Sequence, residues 1–268
     1  MNALCQMTGL SRAGFYRWRA PRQVTPVEME IRDQMQMVAL ESPAYGYRRV
    51  TAELRRRGLD VNHKRVLRMM REDNLLCVRR RAFVVTTDAR HNLPIYPNLA
   101  GTLTPAAINE LWVADITYIR LRTEFIYMAV VLDAFSRRVI GWALGRTLEV
   151  ELAMVALRMA MRERQPAPRL VHHSDRGVQY ASQDYTGMLK HHQAIISMSR
   201  KGNPYDNAAC ESFIKTLKYE EVYRNEYRDF HEARARIGEF VDSVYNQKRL
   251  HSALGYLPPA EFENGAVQ

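Results

Sequence analysis

The chain reads as an α/β protein, a mixed sheet with helices, preceded by a small all-α region of helix-turn-helix character. Three observations predict this. Apolar runs near residues 111–120, 125–132 and 138–144 are joined by connections short enough to favour antiparallel neighbours. Beyond them, strand-like and helical periods alternate, which is the pattern of parallel strands linked by helices. Before them, residues 1–90 carry 18 Lys and Arg against 9 Asp and Glu, whereas residues 91–268 carry 21 against 20.

A length of 268 residues accommodates one domain of ordinary size and a smaller companion, and 47% hydrophobic content supports packed cores. The formal charge of +10 is concentrated in the first third, which predicts a polyanion-binding module beside a nearly neutral body. Cys5, Cys77 and Cys210 form neither a CxxC pair nor a disulfide framework, which fits a reducing cytoplasm. No run approaches ~18 apolar residues, so no membrane span is expected. No basic stretch followed by an apolar core opens the chain, so no secretory signal is expected. The expected organisation is an N-terminal helical segment (1–42), a helix-turn-helix-like module (43–90), a linker (91–106) and a core with a C-terminal helix and tail (107–268).

In the first segment, Leu4, Met7 and Leu10 share a helical face. Ser11 caps a turn carrying Phe15, Tyr16 and Trp18 among Arg12, Arg17 and Arg19. Pro43 to Tyr47 forms a turn. A basic helix follows from Arg48 to Arg57, with Val50 and Leu54 inward, and Gly58 stops it. Asn62 caps a second helix with Val66, Met69 and Met70 inward and Lys64, Arg65, Arg68 and Arg71 outward. Two short basic helices with a tight connection suit DNA docking, so Arg48, Arg49, Lys64, Arg65 and Arg68 are expected to meet DNA. From Arg79-Arg80-Arg81 to about residue 106, with Pro94, Pro97 and Pro105, the chain reads as an extended linker able to touch phosphates.

In the body, the three strands precede a helix over Leu148–Met161 and a strand over Arg169–Ser174. A helix over Ser182–His192, a strand over Ala194–Met198, a helix over Asn207–Leu217 and a long helix over Phe230–Tyr245 complete the series. Sheets of this kind collect ligands at strand ends. Asp115 falls on or just past the first strand, and Asp175 ends the fourth. Glu211 lies in the first or second turn of a helix capped by Asp206 or Asn207. Carboxylates so placed can converge on a divalent metal. Each taken alone can equally be an ion-pair partner, a turn residue or a surface residue. His172 and His173 point to opposite faces, with one expected near DNA and the other packed.

Several stretches carry a resemblance. They are Trp112-Val113-Ala114-Asp115-Ile116-Thr117-Tyr118, Val131-Leu132-Asp133-Ala134-Phe135-Ser136-Arg137 and His172-His173-Ser174-Asp175-Arg176-Gly177-Val178-Gln179-Tyr180. Residues 199–208, Glu211-Ser212-Phe213 and residues 245–259 add to them. Together they resemble the second open-reading-frame product of the IS3 family of insertion-sequence transposases, and Tyr45 to Val50 looks like the helix-turn-helix module that often precedes its integrase-like catalytic domain. The resemblance implies a ribonuclease-H-like mixed sheet and a DDE triad, Asp115, Asp175 and Glu211, that is both catalytic and metal-binding. It implies two Mg²⁺ ions, with Mn²⁺ able to substitute, and DNA contacts from Lys218, Lys215, Arg200 and Lys201. The implied activity is strand cleavage and 3′-OH strand transfer at element ends, with no covalent protein–DNA intermediate. Implied partners are transposon-end and target DNA, the upstream-frame helix-turn-helix and coiled-coil protein or its fusion, and further copies of the chain on DNA in a bacterial nucleoid. A hydrolysis-only DNA nuclease and a catalytically silent DNA-binding regulator are the alternatives.

Overall fold

Capping chemistry sets the first helices. Thr25 Oγ1 accepts from the Glu28 amide at 3.2 Å and Pro26 opens α1 (Pro26–Glu41). After α2 (Tyr47–Arg56), Gly58 takes a left-handed φ of +86°, and the Leu59 amide returns to the Leu54 carbonyl at 3.0 Å. Asn62 accepts from the Lys64 amide at 2.8 Å to start α3 (His63–Glu72). These cap positions and the inward residues Val50, Leu54, Val66, Met69 and Met70 agree with the sequence expectation. Helix α1 adds a third side through Ile31, Met35 and Val38. Its period is hard to read in the sequence because Val27, Met29, Met37 and Leu40 stay exposed on the same helix.

The computed structural model describes residues 11, 13, 25–75, 94–122, 124–199 and 207–266, and the chain divides into two compact units, Met1–Cys77 and Val78–Gln268. Nearly all of the expected turn over residues 11–19 and the Arg79–Arg81 start of the linker lie outside the described residues.

The second unit is built on a five-stranded sheet in the order β3-β2-β1-β4-β5. Strands β1 (Leu111–Arg120), β2 (Phe125–Asp133) and β3 (Val139–Gly145) are antiparallel. Strands β4 (Val171–Ser174) and β5 (Ile195–Met198) run parallel to β1. Trp112, Ala114, Ala129 and Ile140 bury one face beneath α4 (Val150–Arg164), through Leu152, Ala153, Ala156 and Leu157. The packing is close, since a Cβ on Gly141 would stand 2.2 Å from the Ala156 carbonyl oxygen. The expected helix over 182–192 is preceded by a separate short turn, α5 (Val178–Ala181), before α6 (Gln183–His191). Ser182 divides them by capping the Tyr185 amide at 3.3 Å.

Leu111, Val113, Ile119 and Val130 bury the other face beneath α7 (Ala208–Glu220) and α8 (Phe230–Glu239), which continues into a wider π-helical turn over Phe240–Tyr245. The stretch after Tyr245 clamps these layers together. The buried Asn246 amide accepts from the Val139 N–H at 3.0 Å and donates to the Val139 carbonyl at 2.9 Å. Arg249 grips Glu220 with two bonds of 2.9 and 2.7 Å. Glu263, on α9 (Pro259–Ala266), takes Arg138 at 2.8 Å and Arg164 at 2.6 Å.

Candidate active site

Strand register brings the first two acids together. Strand β1 pairs with β4 only through Leu111↔Val171, Trp112↔His172 and Val113↔His173. Asp115 lies two residues past Val113, and Asp175 two past His173. Equal offsets on parallel strands about 4.8 Å apart set the two residues side by side where the strands part. Alternation puts Asp115 on the face of Leu111, Val113 and Ile119, which is the face α7 covers. Helix α7 is pinned there by Asn207, whose Nδ2 donates to the Ala114 carbonyl at 3.1 Å. Asn207 holds the N-cap position, but its side chain makes this bond to β1 instead of capping the helix. The anchor, on the residue just before Asp115, fixes the first turn of α7, which carries Glu211.

Local bonds orient the two aspartates. Asp115 Oδ1 accepts from the Ile116 amide at 2.8 Å, and Asp175 Oδ1 from the Gly177 amide at 2.9 Å. A Cβ on Gly177 would stand 2.9 Å from that same Asp175 oxygen, so the Asp-Arg-Gly order leaves the carboxylate its space.

The charges are coupled. Burial pushes Asp115 up to about 7, the charges of Asp175 and Glu211 add to it, and the Ile116 amide and Lys218 oppose it. Asp115 keeps partial contact with solvent at its surface while lying deep in the fold. Burial also raises Glu211, which sits at the exposed rim. Lys218, two turns further along α7, is held below its ordinary value by burial and drawn back up by Asp115. Among the described residues, no three acidic, His or Cys side chains are placed to hold a metal ion together. The set is nonetheless one of hard oxygen donors in mutual repulsion, which a divalent cation would relieve. Glu211 is the exposed member of the three.

A groove of about 1030 Å³ opens beside these groups, with Asp175 and Lys218 in its wall. Sequence reasoning missed Tyr180 as a site residue. Its hydroxyl is buried without a hydrogen-bond partner among the described residues, and Asp115 and Asp175 both raise its pKa after burial and Tyr185. Its only signal in the sequence is its place five residues after Asp175.

The other expected residues fall as follows. Lys215 is exposed on α7. Arg200 and Lys201 lie outside the described residues, as does Asp206. Arg48 and Arg49 each lie 5.7 Å from a ring centroid, of Tyr47 and Tyr45 respectively, and Lys64 is exposed at the start of α3. Arg65 reaches buried Glu28 at 3.6 Å and Arg68 reaches Glu72 at 3.5 Å, so both take part in ion pairs of the helical unit. Glu28, which also meets Arg32 at 3.4 Å, is a buried charge that sequence reasoning did not single out.

The expectation that one histidine of the 172–173 pair reaches DNA is overturned, because both are fully buried. His172 Nε2 bonds the Tyr185 hydroxyl at 3.0 Å, and burial, followed by His173, holds His172 down at about 3. His173 sits between the Ser197 and Ser199 hydroxyls at 2.8 and 3.0 Å. Asp133, within the Val131–Arg137 motif, is a structural cap. It accepts from the Asn109, Phe135 and Ser136 amides at 2.7, 3.0 and 2.9 Å.

Comparison with known proteins agrees with this architecture. Residues 105–204 and 192–259 match two integrase core domain families, and residues 26–83 match an HTH-like domain. An uncharacterized 31 kDa protein of insertion element IS600 from Shigella sonnei is 38% identical over 263 residues, covering 97% of each chain. Transposase InsF for insertion sequence IS3A of Escherichia coli (strain K12) is 35% identical over 270 residues, covering 98% of this chain and 94% of that one. The HTLV-2 integrase catalytic core domain in complex with magnesium (trimeric form) aligns at a TM-score of 0.47 and 14% identity, covering 60% of this chain and 99% of that one.

Proposed function

We propose that this chain, which belongs to the IS3 family of insertion-sequence transposases, cuts and joins DNA at a centre formed by Asp115, Asp175 and Glu211. It is a transposase, an enzyme of the polynucleotidyl transferase class with an integrase core of ribonuclease-H-like fold. The observation that carries the residue assignment is the equal two-residue offset of Asp115 and Asp175 past the last β1–β4 pair, with Glu211 felt electrostatically at Asp115.

Asp115, Asp175 and Glu211 would hold two divalent cations, Mg²⁺ with Mn²⁺ as a substitute. When bound, such ions activate the attacking oxygen and neutralise charge on the phosphate and the leaving oxygen. The chain's own residues prepare for this. Asp115 feels the charges of both other acids and gives up its proton near neutrality. The Gly177 amide holds Asp175 in one orientation. Lys218, partly desolvated beside Asp115, offers a strong positive charge to a phosphate next to the one being cut.

In the first step water attacks a phosphodiester at the element end and frees a 3′-OH. In the second step that 3′-OH attacks another phosphodiester, and the displaced 3′-oxygen leaves. One phosphodiester is made for each one broken in the second step, so no energy-supplying cofactor is needed. No side chain serves as a covalent nucleophile.

The chain acts on DNA, and its HTH-like unit offers Arg48 and Lys64 on exposed surface for phosphate contact. Further partners in this reading are the upstream-frame protein and additional copies of the chain assembled on DNA. No helix among the described residues is long and apolar enough to cross a membrane. The test is a Mg²⁺-dependent cleavage and joining assay on labelled DNA flanking the chain's own gene, with and without the upstream-frame protein. Wild type should yield nicked and strand-transfer products. Asp115→Asn should yield neither while still binding DNA. Cleavage without joining would favour the nuclease alternative, and undiminished cleavage by the variant would sink the assignment.

A further inference from the structure

The groove beside Asp175 carries more than the acids and Lys218 need. Six aromatic rings line it, among them Tyr118 on β1, Phe125 at the start of β2 and Tyr223 in the turn after α7. Phe125 is 51% exposed and Tyr223 49%, an arrangement that wastes apolar surface unless something covers it. Tyr118 and Phe125 meet edge-on with centroids 6.0 Å apart. Lys218 Nζ lies 4.4 Å from the Tyr118 centroid, and the Arg120 guanidinium lies 6.0 Å from that of Phe125. Arg122 also lines the groove, so three cations face the acids Asp175 and Glu226. The rings therefore stand among positive charges in a concavity of about 1030 Å³. That is the upper end of the roughly 300–1,000 Å³ that encloses a drug-sized molecule, and it has room for more than one nucleotide.

We propose that this groove is a nucleobase-binding site for an unpaired stretch of DNA strand, with bases stacked on Tyr223, Phe125 and Tyr118 and the backbone held by Arg120, Arg122 and Lys218. A paired base hides both faces in the helix stack, so only a single-stranded segment can present its π-face to such rings. Every base has that face, so the site is indifferent to sequence. The proposal rests on the reading of Asp115, Asp175 and Glu211 as the reacting centre only for its consequence. Asp175 lines the same groove, so the strand held there continues into the site where it is cut. An opened end is thereby kept from re-pairing.

The test uses the full chain in EDTA with fluorescein-labelled oligo-dT, read by fluorescence anisotropy beside a blunt dA·dT duplex. Tyr223→Ala and Phe125→Ala should each weaken oligo-dT binding roughly 5- to 150-fold and change duplex binding less than about twofold. Tyr223→Phe and Phe125→Tyr keep a ring and should stay within about twofold of wild type. Unchanged oligo-dT affinity in both alanine variants would overturn the proposal. So would an equal loss for duplex and single strand, which would assign the contact to the cations alone. Loss of self-association with oligo-dT binding intact would give the groove to a second copy and also overturn it. Mg²⁺-dependent cleavage by wild type reads the acidic centre separately. No cleavage together with ring-dependent oligo-dT binding would sink the centre and leave the groove. Intact cleavage with ring-independent binding would sink the groove alone.

Discussion

Replacing Asp115 with Asn asks whether the three acids form a repulsive cluster that a cation must relieve. Asp115 titrates at about 7 in the folded chain against an ordinary 3.8, through burial and the charges of Asp175 and Glu211. The folded protein thus binds this proton more tightly than the unfolded chain does. The stability linked to that proton is complete below the unfolded value of 3.8 and is lost as pH rises through about 7. The gap converts to roughly 4 kcal/mol at most, and screening at a carboxylate still in contact with water brings it to about 2 kcal/mol. Asn has the same shape, keeps the acceptor for the Ile116 amide and cannot ionise. At about pH 8 in EDTA, Asp115→Asn should therefore melt about 4–8 °C above wild type. The difference should shrink as pH falls toward about 4. Mg²⁺ should raise the melting temperature of wild type at the higher pH and leave the variant nearly unmoved. Scanning calorimetry over a pH series, with EDTA and with Mg²⁺, reads all of this. A variant that melts at or below wild type near pH 8 in EDTA would refute the reasoning, because the buried carboxylate would then not be under repulsion.

The remaining predictions concern the supports of the site. On the proposed assignment protons and cations compete for Asp115, so Mg²⁺-dependent cleavage should climb as pH rises through about 7, and a flat profile in initial rates would count against that competition. Gly177→Ala forces a Cβ to within 2.9 Å of Asp175 Oδ1. Cleavage should fall by about 10²-fold with the melting temperature little changed, and a fully active variant would show that the orientation of Asp175 is not critical. Asn246→Ala removes both bonds to the Val139 backbone and leaves buried polar groups unpaired, so urea unfolding should register a loss of about 2–3 kcal/mol. Gly141→Ala sets a methyl 2.2 Å from the Ala156 carbonyl and should cost about 1–3 kcal/mol in the same assay.

Much of the architecture is legible in the amino-acid order because it rests on local periods. Alternation and short turns mark β1 to β3. Gly58 and Asn62 mark the boundaries of α2 and α3 through φ and capping chemistry that only neighbours decide. Helix α1 is less legible, since apolar residues on its exposed side blur the period. The two histidines mislead for a related reason. Alternation correctly sends them to opposite faces, but it cannot say that Tyr185 waits on one side and Ser197 and Ser199 on the other.

The acids themselves, at strand ends and a helix start, can be read from the chain one by one as candidates. Their meeting cannot, because it depends on where β4 stops pairing with β1 and on the Asn207 bond that pins α7 beside Ala114. The same holds for the value near 7 at Asp115, which is a sum of burial and charges from residues 60 and 96 positions away in sequence. Local order determines which side chains a strand or helix presents. Only packing decides which distant side chains share one low-dielectric space, and the coupling of their charges exists nowhere else.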